Sequence, residues 1–574
     1  SRAFSFDMIP SSQIDNLTIV KTPAAEYPAD YSGGFIIINT KGIPQENTFS
    51  IQAGGNWNTS SSFASFLNTK GSSTDFLGFD GGLRSMHGGI ETKLNPLGAY
   101  DGVSLTGNHL NNNWTTRTMH PFGDLKLGFS LTHHWNTACG KLGLIAATNY
   151  TNEYRTYKNM LNNLFGIYDV ANDRSNYLRH STDDQYNHNV RLGAMINLTY
   201  LTCGGNNKYE FKNIFNQIGN NRYTWREGVS AQANLEHSAE YYYRSRTTYN
   251  SQFTGKHTLT QDQLEWGLSY SYANRHIPDR RKYLIDDALD PGKYQLSNGN
   301  DISREWTQLD EHILSANVSD SHQFHFGDWN PSLKFGIYGE YRTRKYTTRN
   351  FIYSWNTTDN DLPADFRTMN MAQLLSDANY FGEHGLYLIE QHQMRNNYRG
   401  HNTLSAGYLA ATIPFKAWSI YAGIRYEYDD MELISNTRDT KKSESGRHYR
   451  HNDFFPSVNI TYIIDSKNQV RLSYGKSVNR QEFREISSSV FYDFDLASSV
   501  QGNPELKSCY IHNADLRYEW YPSRGEVISL AAFYKYFNDP IEWTYTVSGG
   551  TDLIYSYKNA KSAYSYGLAL DVKK

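Results

Sequence analysis

Apolar and polar residues alternate with a period of two through most of this chain. In WSIYAGIRYEY (418–428), the even positions hold Trp, Ile, Ala, Ile, Tyr and Tyr, and the odd positions hold Ser, Tyr, Gly, Arg and Glu. A β-strand points successive side chains to opposite faces, so this pattern predicts a strand with one apolar and one polar face. Roughly 17 such segments follow residue 48, most of them near the length of about 9 to 11 residues that a tilted strand needs to cross a bilayer.

The composition agrees with membrane strands and excludes several other classes. Aromatic residues make up 15% of the chain, charged residues make up 20%, and the net charge is -3. An aromatic-rich chain is ordered, and a nearly neutral one lacks the basic surface that nucleic acid requires. The mean hydropathy is -0.66, and no apolar run of about 18 residues predicts a membrane helix. A transmembrane barrel remains compatible, because it shows lipid only every second residue.

Short and long connections alternate between the predicted strands. The short turns lie at 136–141, 202–208, 464–469 and 521–526, and the long connections lie near 151–186, 218–240, 274–308, 346–400, 429–454 and 477–510. An outer-membrane barrel has this asymmetry, with short periplasmic turns and long outer loops. The alternative is a large soluble β-sheet protein such as a propeller, but no repeat of about 40 to 50 residues is visible. The best helix candidate is 365–381, and residues 59–122 hold either no membrane strand or two.

The first 41 residues differ from the rest. Residues 15–23 and 32–41 read as two strands joined by a turn with Pro23, Pro28, Gly33 and Gly34. The second strand is apolar on both faces, which indicates a buried sheet. We expect Gly33 and Gly34 to let the backbone turn and approach the barrel wall closely. The segment therefore predicts the edge of a small globular unit.

Four segments resemble the TonB-dependent outer-membrane receptors, in particular those of the starch-utilisation type. Residues 9–41 are similar to the end of the family's plug domain, and 74–84, 478–486 and 502–508 are similar to its barrel motifs. The resemblance implies an all-β fold, with a plug inside a transmembrane antiparallel barrel of 22 strands. Residues 1–44 would end the plug and 45–574 would form an incomplete barrel. We expect most of the plug, the TonB-binding segment and about five strands to lie outside this sequence.

The same resemblance implies a transporter of the outer membrane rather than an enzyme. Its cargo would be a glycan, peptide, siderophore or vitamin, and its partners would be membrane lipid and the TonB–ExbB–ExbD complex. It leaves open a surface lipoprotein lid, and it implies no nucleic-acid partner. The alternatives are a passive porin or surface-binding barrel that kept part of a plug, and a soluble β-rich binding or hydrolytic protein.

Candidate ligand-binding residues are aromatic residues and one arginine of the predicted outer loops. Aromatic rings bind sugars or peptides, and arginine pairs with anions. The candidates are Tyr223, Trp225, Arg226, Trp306, Trp355 and Tyr380. We predict no catalytic residue, cofactor or metal site. The GKS at 475–477 lacks the upstream glycine of a phosphate-binding loop, because that position is Val470, and Cys139, Cys203 and Cys509 form no ligand-spaced pair.

Overall fold

The computed structural model describes residues 14–86, 110–297, 301–355, 364–380, 385–391, 393–436, 444–548 and 552–574. Within these ranges the chain forms 25 strands and two short α-helices. The strands are β1 (Ile14–Val20), β2 (Phe35–Thr40), β3 (Thr48–Gly54), β4 (Phe66–Thr69), β5 (Thr116–Met119), β6 (Leu125–Thr137), β7 (Gly140–Phe165), β8 (Tyr177–Thr202), β9 (Asn207–Val229), β10 (Leu235–Thr258), β11 (Asp262–Asp286), β12 (Ile302–Gln323), β13 (Ser332–Trp355), β14 (Leu386–Gln391), β15 (Tyr398–Phe415), β16 (Trp418–Asn436), β17 (Glu444–Ile463), β18 (Asn468–Asn479), β19 (Val490–Asp493), β20 (Ser498–Gln501), β21 (Cys509–Trp520), β22 (Val527–Asn538), β23 (Ile541–Ser548), β24 (Asp552–Asn559) and β25 (Ser562–Lys573). The helices are α1 (Met371–Leu374) and α2 (Phe483–Ile486).

Seventeen of these strands form one barrel sheet, as the alternation predicts. Its strands are β3, β6 to β18, β21, β22 and β25. The pairs β3–β6, β18–β21 and β22–β25 are antiparallel. β13 pairs with β15 over its first half and with β14 over its last residues. Three smaller sheets lie outside the barrel sheet: β1 with β2, β4 with β5, and β19, β20, β24 and β23. Among the described residues of 59–122, neither strand belongs to the barrel.

The barrel strands are longer than a bilayer requires. β7 and β8 each contain 26 residues, whereas a tilted membrane strand needs about 9 to 11. They therefore extend well past the membrane on the side of the long connections, which is the outer side. The prediction of long loops at 218–240 and 274–308 is therefore wrong. Much of each range belongs to a strand, since β9 continues to Val229 and β11 to Asp286.

The predicted helix at 365–381 is also shorter than expected. Within its described residues, 365–380, only α1 is α-helical, with 3-10 turns at Phe366–Thr368 and Asp377–Tyr380 on either side. Asn370 accepts a hydrogen bond from Gln373 N at 2.9 Å and starts the helix as its cap. The preceding Met369 is extended, so a single helix through this segment is excluded.

The two faces of the barrel sheet are identified by residue parity. Phe211 on β9 and Leu314 on β12 are exposed on the outward, lipid-facing side of the barrel. The same outward rows continue above the membrane to Tyr223 and Trp306, which are buried, because other parts of the chain pack over them. The odd residues of β16 and the even residues of β9 therefore face the lumen. Within the described residues, no helix is long and apolar enough to cross a membrane.

Candidate functional site

Residues 22–33, here called the lumenal segment, lie inside the barrel. They contact Tyr421, Arg425 and Glu427 of β16. These are odd-numbered residues, whereas the even-numbered Ile424 and Tyr426 are exposed on the outside. Successive residues of a strand face opposite sides, so every one of these contacts is made in the lumen.

Backbone groups of the lumenal segment are hydrogen-bonded to three neighbouring strands. Ala25 N donates to the Tyr421 hydroxyl at 2.8 Å, and Asn459 Nδ2 donates to Pro23 O at 3.2 Å. Val478 N donates to Ala29 O at 2.9 Å. The barrel wall thus satisfies polar groups of a segment that has no sheet of its own at this point, which fixes its position in the lumen.

A buried group of charges anchors the same segment. Glu427 is 0% exposed and accepts hydrogen bonds from Ala29 N at 3.1 Å and from Arg425 Nε at 2.6 Å. Arg480 lies 2.8 Å from Glu427 and 3.5 Å from Asp429. A carboxylate without exposure needs such partners, because its desolvation is costly.

Close packing also positions the lumenal segment, but not at the glycines we expected. A Cβ on Gly475 would lie 2.4 Å from Pro23 Cβ, and one on Gly423 would lie 2.7 Å from Ala25 Cβ. A Cβ on Gly33 would meet nothing within 4 Å, and one on Gly34 would meet Val20 O of the β1–β2 sheet. The close approach of the lumenal segment to the wall therefore depends on glycines of the barrel. Gly33 reaches the wall through its carbonyl, which accepts a hydrogen bond from Lys535 Nζ at 3.4 Å. Pro28 is exposed.

A second part of the chain crosses the outer mouth of the lumen. This crossing hairpin consists of β19 and β20, and its tip is bound by the opposite wall. Arg226 Nη2 donates to Phe494 O at 2.7 Å, and Arg222 Nη1 donates to Asp495 Oδ2 at 2.9 Å. Asn162 Nδ2 donates to Asp495 O at 2.8 Å. These contacts restrict the passage above the lumenal segment.

The charges around the hairpin tip are largely compensated. Glu240 is 0% exposed and lies 2.6 Å from Arg222 and 2.5 Å from Arg280. Burial alone would raise the pKa of Glu240, but Arg280 and Arg222 outweigh it and hold the pKa at about 2. Burial lowers the pKa of Lys282 to about 8, and the neighbouring Arg280 adds to the effect. The wall beside the hairpin tip therefore keeps its buried carboxylate ionised and paired with two arginines.

The six predicted ligand-binding residues do not share one site. Tyr223 and Trp306 lie on the outward face, and Trp306 Nε1 donates to Arg84 O at 2.9 Å. Trp225 donates to Glu227 at 2.6 Å, while Arg226 faces the lumen and holds Asp183 at 2.7 Å. All four stand on barrel strands rather than in loops. Trp355 ends β13 and Tyr380 ends a 3-10 turn, and their side chains lie outside the described part of the chain.

Sequence reasoning missed the residues that hold the lumenal segment. Tyr421, Glu427, Asn459 and Arg480 belong to, or directly follow, strands that the alternation predicts. The sequence signal that could have found them is a bulky or charged side chain on the polar face of a membrane strand. A water-filled lumen would accept a small polar side chain there, so a large or charged one indicates a specific contact. In the described ranges, no group of three or more His, Cys, Asp or Glu is placed to hold a metal ion.

Comparisons with known proteins agree with this architecture. Residues 341–574 match the model of the Outer membrane protein beta-barrel family. No curated protein sequence matches the chain. The matched family and the solved structures of similar fold are membrane barrels and receptors, not enzymes.

The chain is similar in fold to the ferric enterobactin receptor PfeA of Pseudomonas aeruginosa. A mutant of that receptor bound to enterobactin aligns with a TM-score of 0.52 and 12% identity, over 99% of this chain and 66% of that one. A second mutant gives a TM-score of 0.51 with the same identity and coverage. The siderophore receptor PirA of the same organism gives 0.48 and 13% identity, over 100% of this chain and 71% of that one. This chain thus spans 66% of the length of PfeA. Its β-barrel fold is similar to that of the ferric enterobactin receptor, and its residues 341–574 are similar to an outer-membrane β-barrel family.

Proposed function

We propose that this protein imports a nutrient across the outer membrane as a plugged, TonB-dependent receptor. The observation that carries the proposal is the lumenal segment, held by Tyr421, Glu427 and Asn459 on the lumenal face. A passive pore needs a free lumen. A segment bound inside the barrel by directed hydrogen bonds is instead what a gated receptor requires.

The anchoring contacts suit a plug that moves under force. Each hydrogen bond between the segment and the wall contributes a net free energy of about 0.5 to 1.5 kcal/mol, because water replaces the partner when the bond breaks. Such contacts can be broken one after another. The energy would come from the inner membrane through the TonB–ExbB–ExbD complex, acting on a part of the protein that precedes the lumenal segment.

The nature of the cargo is also a proposal. The solved structures with a similar fold are receptors for ferric enterobactin and other siderophores, which favours a solute too large for porins. A glycan, peptide, siderophore or vitamin would enter at the outer mouth, beside the crossing hairpin. A surface lipoprotein lid over that mouth belongs to the same proposal.

Two measurements test the function. In planar bilayers we expect the full-length protein to stay nearly closed to ions, whereas a large steady conductance would indicate a passive pore. Uptake of labelled maltoheptaose, a ferric catecholate, a peptide and cyanocobalamin is then compared in cells with and without TonB. Uptake of one probe that is lost without TonB supports the proposal, and uptake that persists without TonB contradicts it.

A further inference from the structure

The connection between β3 and β6 folds onto the outside of the barrel. We call its described residues, 55–86 and 110–124, the outer insertion. Gln217 Nε2 donates to Gly78 O at 2.6 Å, and Tyr150 donates to Phe76 O at 2.7 Å. A Cβ on Gly219 would lie 2.6 Å from Gly78 Cα. Gly219 has the same parity on β9 as the lipid-facing Phe211, so the insertion covers the outward face.

The contact with β9 lies at the level of the outer membrane surface. Gly219 is twelve residues beyond Asn207, where β9 leaves its short turn, and Tyr150 is ten residues beyond Gly140 on β7. With a rise of about 3.3 Å per residue and a tilt of about 45°, both lie about 23 to 28 Å above the periplasmic turns. The apolar band of an outer-membrane barrel is about 25 Å tall. Residues near Gly78 therefore rest at its outer boundary.

Five large aromatic side chains of the insertion are left exposed. Phe76 and Phe79, which flank Gly78, are 54% and 38% exposed, and Trp57, Phe63 and Phe122 are 74%, 57% and 83% exposed. The last three form a cluster, with ring centroids 6.3 Å apart for Trp57 and Phe63 and 5.2 Å apart for Phe63 and Phe122. So much aromatic surface is unfavourable in water and favourable at a membrane interface.

The aromatic surface continues the lipid-facing surface of the barrel. Phe122 lies three residues before Leu125, and Leu125, Leu127 and Phe129 form the exposed outward row of β6. The exposed aromatic surface of the insertion therefore adjoins the exposed apolar row of β6, with no exposed polar side chain between Phe122 and Leu125. That continuity favours lipid over a second protein as the occupant of this surface.

The charges beside Phe76 and Phe79 are turned away from this surface and neutralised. Arg84 lies 2.7 Å from Asp75 and 2.8 Å from Asp80, and its side chain is 4% exposed. Its guanidinium also lies over the ring of Tyr243, 4.0 Å from the centroid, on the outward face of β10. The two carboxylates thus face the barrel, so the phenylalanine side can enter an apolar phase without carrying an unpaired charge.

We propose that the outer insertion is a membrane-surface anchor whose five aromatic side chains enter the boundary between headgroups and acyl chains of the outer leaflet. It differs from the aromatic residues on the strands, because it is a separate segment packed onto the wall. By binding the leaflet beside β6 and β9, it sets the height of the barrel in the membrane. This inference does not depend on the cargo or on TonB.

The test places a fluorescent thiol probe at single sites in the protein reconstituted into phosphatidylcholine vesicles. Cys139 and Cys203 are exposed and are replaced by serine, whereas the buried Cys509 is retained. Bimane is attached to Phe76→Cys and, in a separate protein, to Phe122→Cys. Ile167→Cys serves as the control, since Ile167 is exposed in the outer loop between β7 and β8. Quenching is measured with brominated phosphatidylcholine and with aqueous iodide.

We expect brominated lipid to quench both test sites at least about twofold while iodide quenches them several-fold less than the control. The Ile167→Cys site should show the reverse. Strong quenching of Phe76→Cys and Phe122→Cys by iodide would place them in water and overturn the proposal. Protection from both quenchers would also overturn it, because the surface would then be covered by protein.

Discussion

Pro23 occupies the space that a side chain on Gly475 would fill. An ideal Cβ on Gly475 would lie only 2.4 Å from Pro23 Cβ. Gly475 is on the lumenal face of β18, and Pro23 O also accepts a hydrogen bond from Asn459 at 3.2 Å. The barrel wall and the lumenal segment therefore fit each other at one specific residue pair.

Replacing Gly475 by valine should open a leak through the lumen. The added side chain cannot coexist with Pro23, so the lumenal segment must move away from β18. We expect a clear rise in ion conductance in planar bilayers over the nearly closed unsubstituted protein. Gly339→Ala is the control, because a Cβ there meets nothing within 4 Å. Equal conductance of the two variants would show that the segment does not close the lumen.

Glu427→Gln should destabilise the folded barrel strongly. The substitution leaves Arg425 and Arg480 in a buried site without the carboxylate that lies 2.6 and 2.8 Å from them. Breaking a buried ion pair in this way costs about 3 to 5 kcal/mol of unfolding free energy. Urea unfolding followed by the heat-modifiable gel band measures the cost. Glu505→Gln removes the exposed pair with Arg447 and should have almost no effect; similar midpoints for both variants would contradict this role of Glu427.

Arg226→Lys should release the tip of the crossing hairpin. Arg226 binds Asp183 with two nitrogens and Phe494 O with one of them, and lysine cannot reproduce this planar geometry. We expect faster proteolysis in the turn between β19 and β20. Arg174→Lys is the control, because Arg174 is exposed beside Asp169. Cleavage at the rate of the unsubstituted protein would mean that Arg226 does not hold the hairpin.

His188 should make the protein less stable in mild acid. Burial lowers the pKa of His188 to about 4, while Asp75 opposes the shift weakly. The pKa of histidine in the unfolded state is about 6.5. Below this pH the unfolded state binds a proton at His188 that the folded state does not bind. The unfolding free energy therefore falls as the pH drops from about 6.5 to about 4, and the loss is absent above about 6.5.

The thermal midpoint at pH 7.5 and pH 4.5 measures this effect. His188→Phe keeps a ring against Tyr154, on which His188 stacks at 4.4 Å, and should show a smaller drop between the two pH values than the unsubstituted protein. His180→Phe replaces an exposed histidine and should not reduce the drop. An identical drop in the unsubstituted protein and both variants would assign the acid sensitivity to other groups.

The barrel could be predicted from sequence because the membrane imposes a strict pattern. Lipid on one face and a polar lumen on the other give β16 its regular alternation through Tyr428. Above the membrane this constraint ends, so the outer halves of β9 and β11 were mistaken for loops. Tyr223 and Trp306 are buried there on the outward face, under the outer insertion and other connections.

The lumenal contacts could not be predicted because they join residues far apart in the sequence. Ala29 and Glu427 are 398 residues apart, and nothing local marks either as a partner of the other. The same holds for Arg226 and Phe494, which are 268 residues apart. Arg226 was predicted to bind ligand because of its residue type, but in the structure it binds another part of the same chain, the tip of the crossing hairpin.

The central claim is that the lumenal segment lies inside the barrel, and a disulfide cross-link tests it most directly. Ala25→Cys is combined with Gly423→Cys after the three native cysteines are replaced by serine. An ideal Cβ on Gly423 lies 2.7 Å from Ala25 Cβ, and a small shift gives the separation of about 3.5 to 4.5 Å that a disulfide needs. The matched control is Ala25→Cys with Ile424→Cys, since Ile424 faces the outside.

We predict that oxidation cross-links the pair with Gly423→Cys, seen as a gel mobility shift that a reductant reverses, and leaves the pair with Ile424→Cys unlinked. Cross-linking of neither pair, or of both equally, would contradict a lumenal position for residues 22–33.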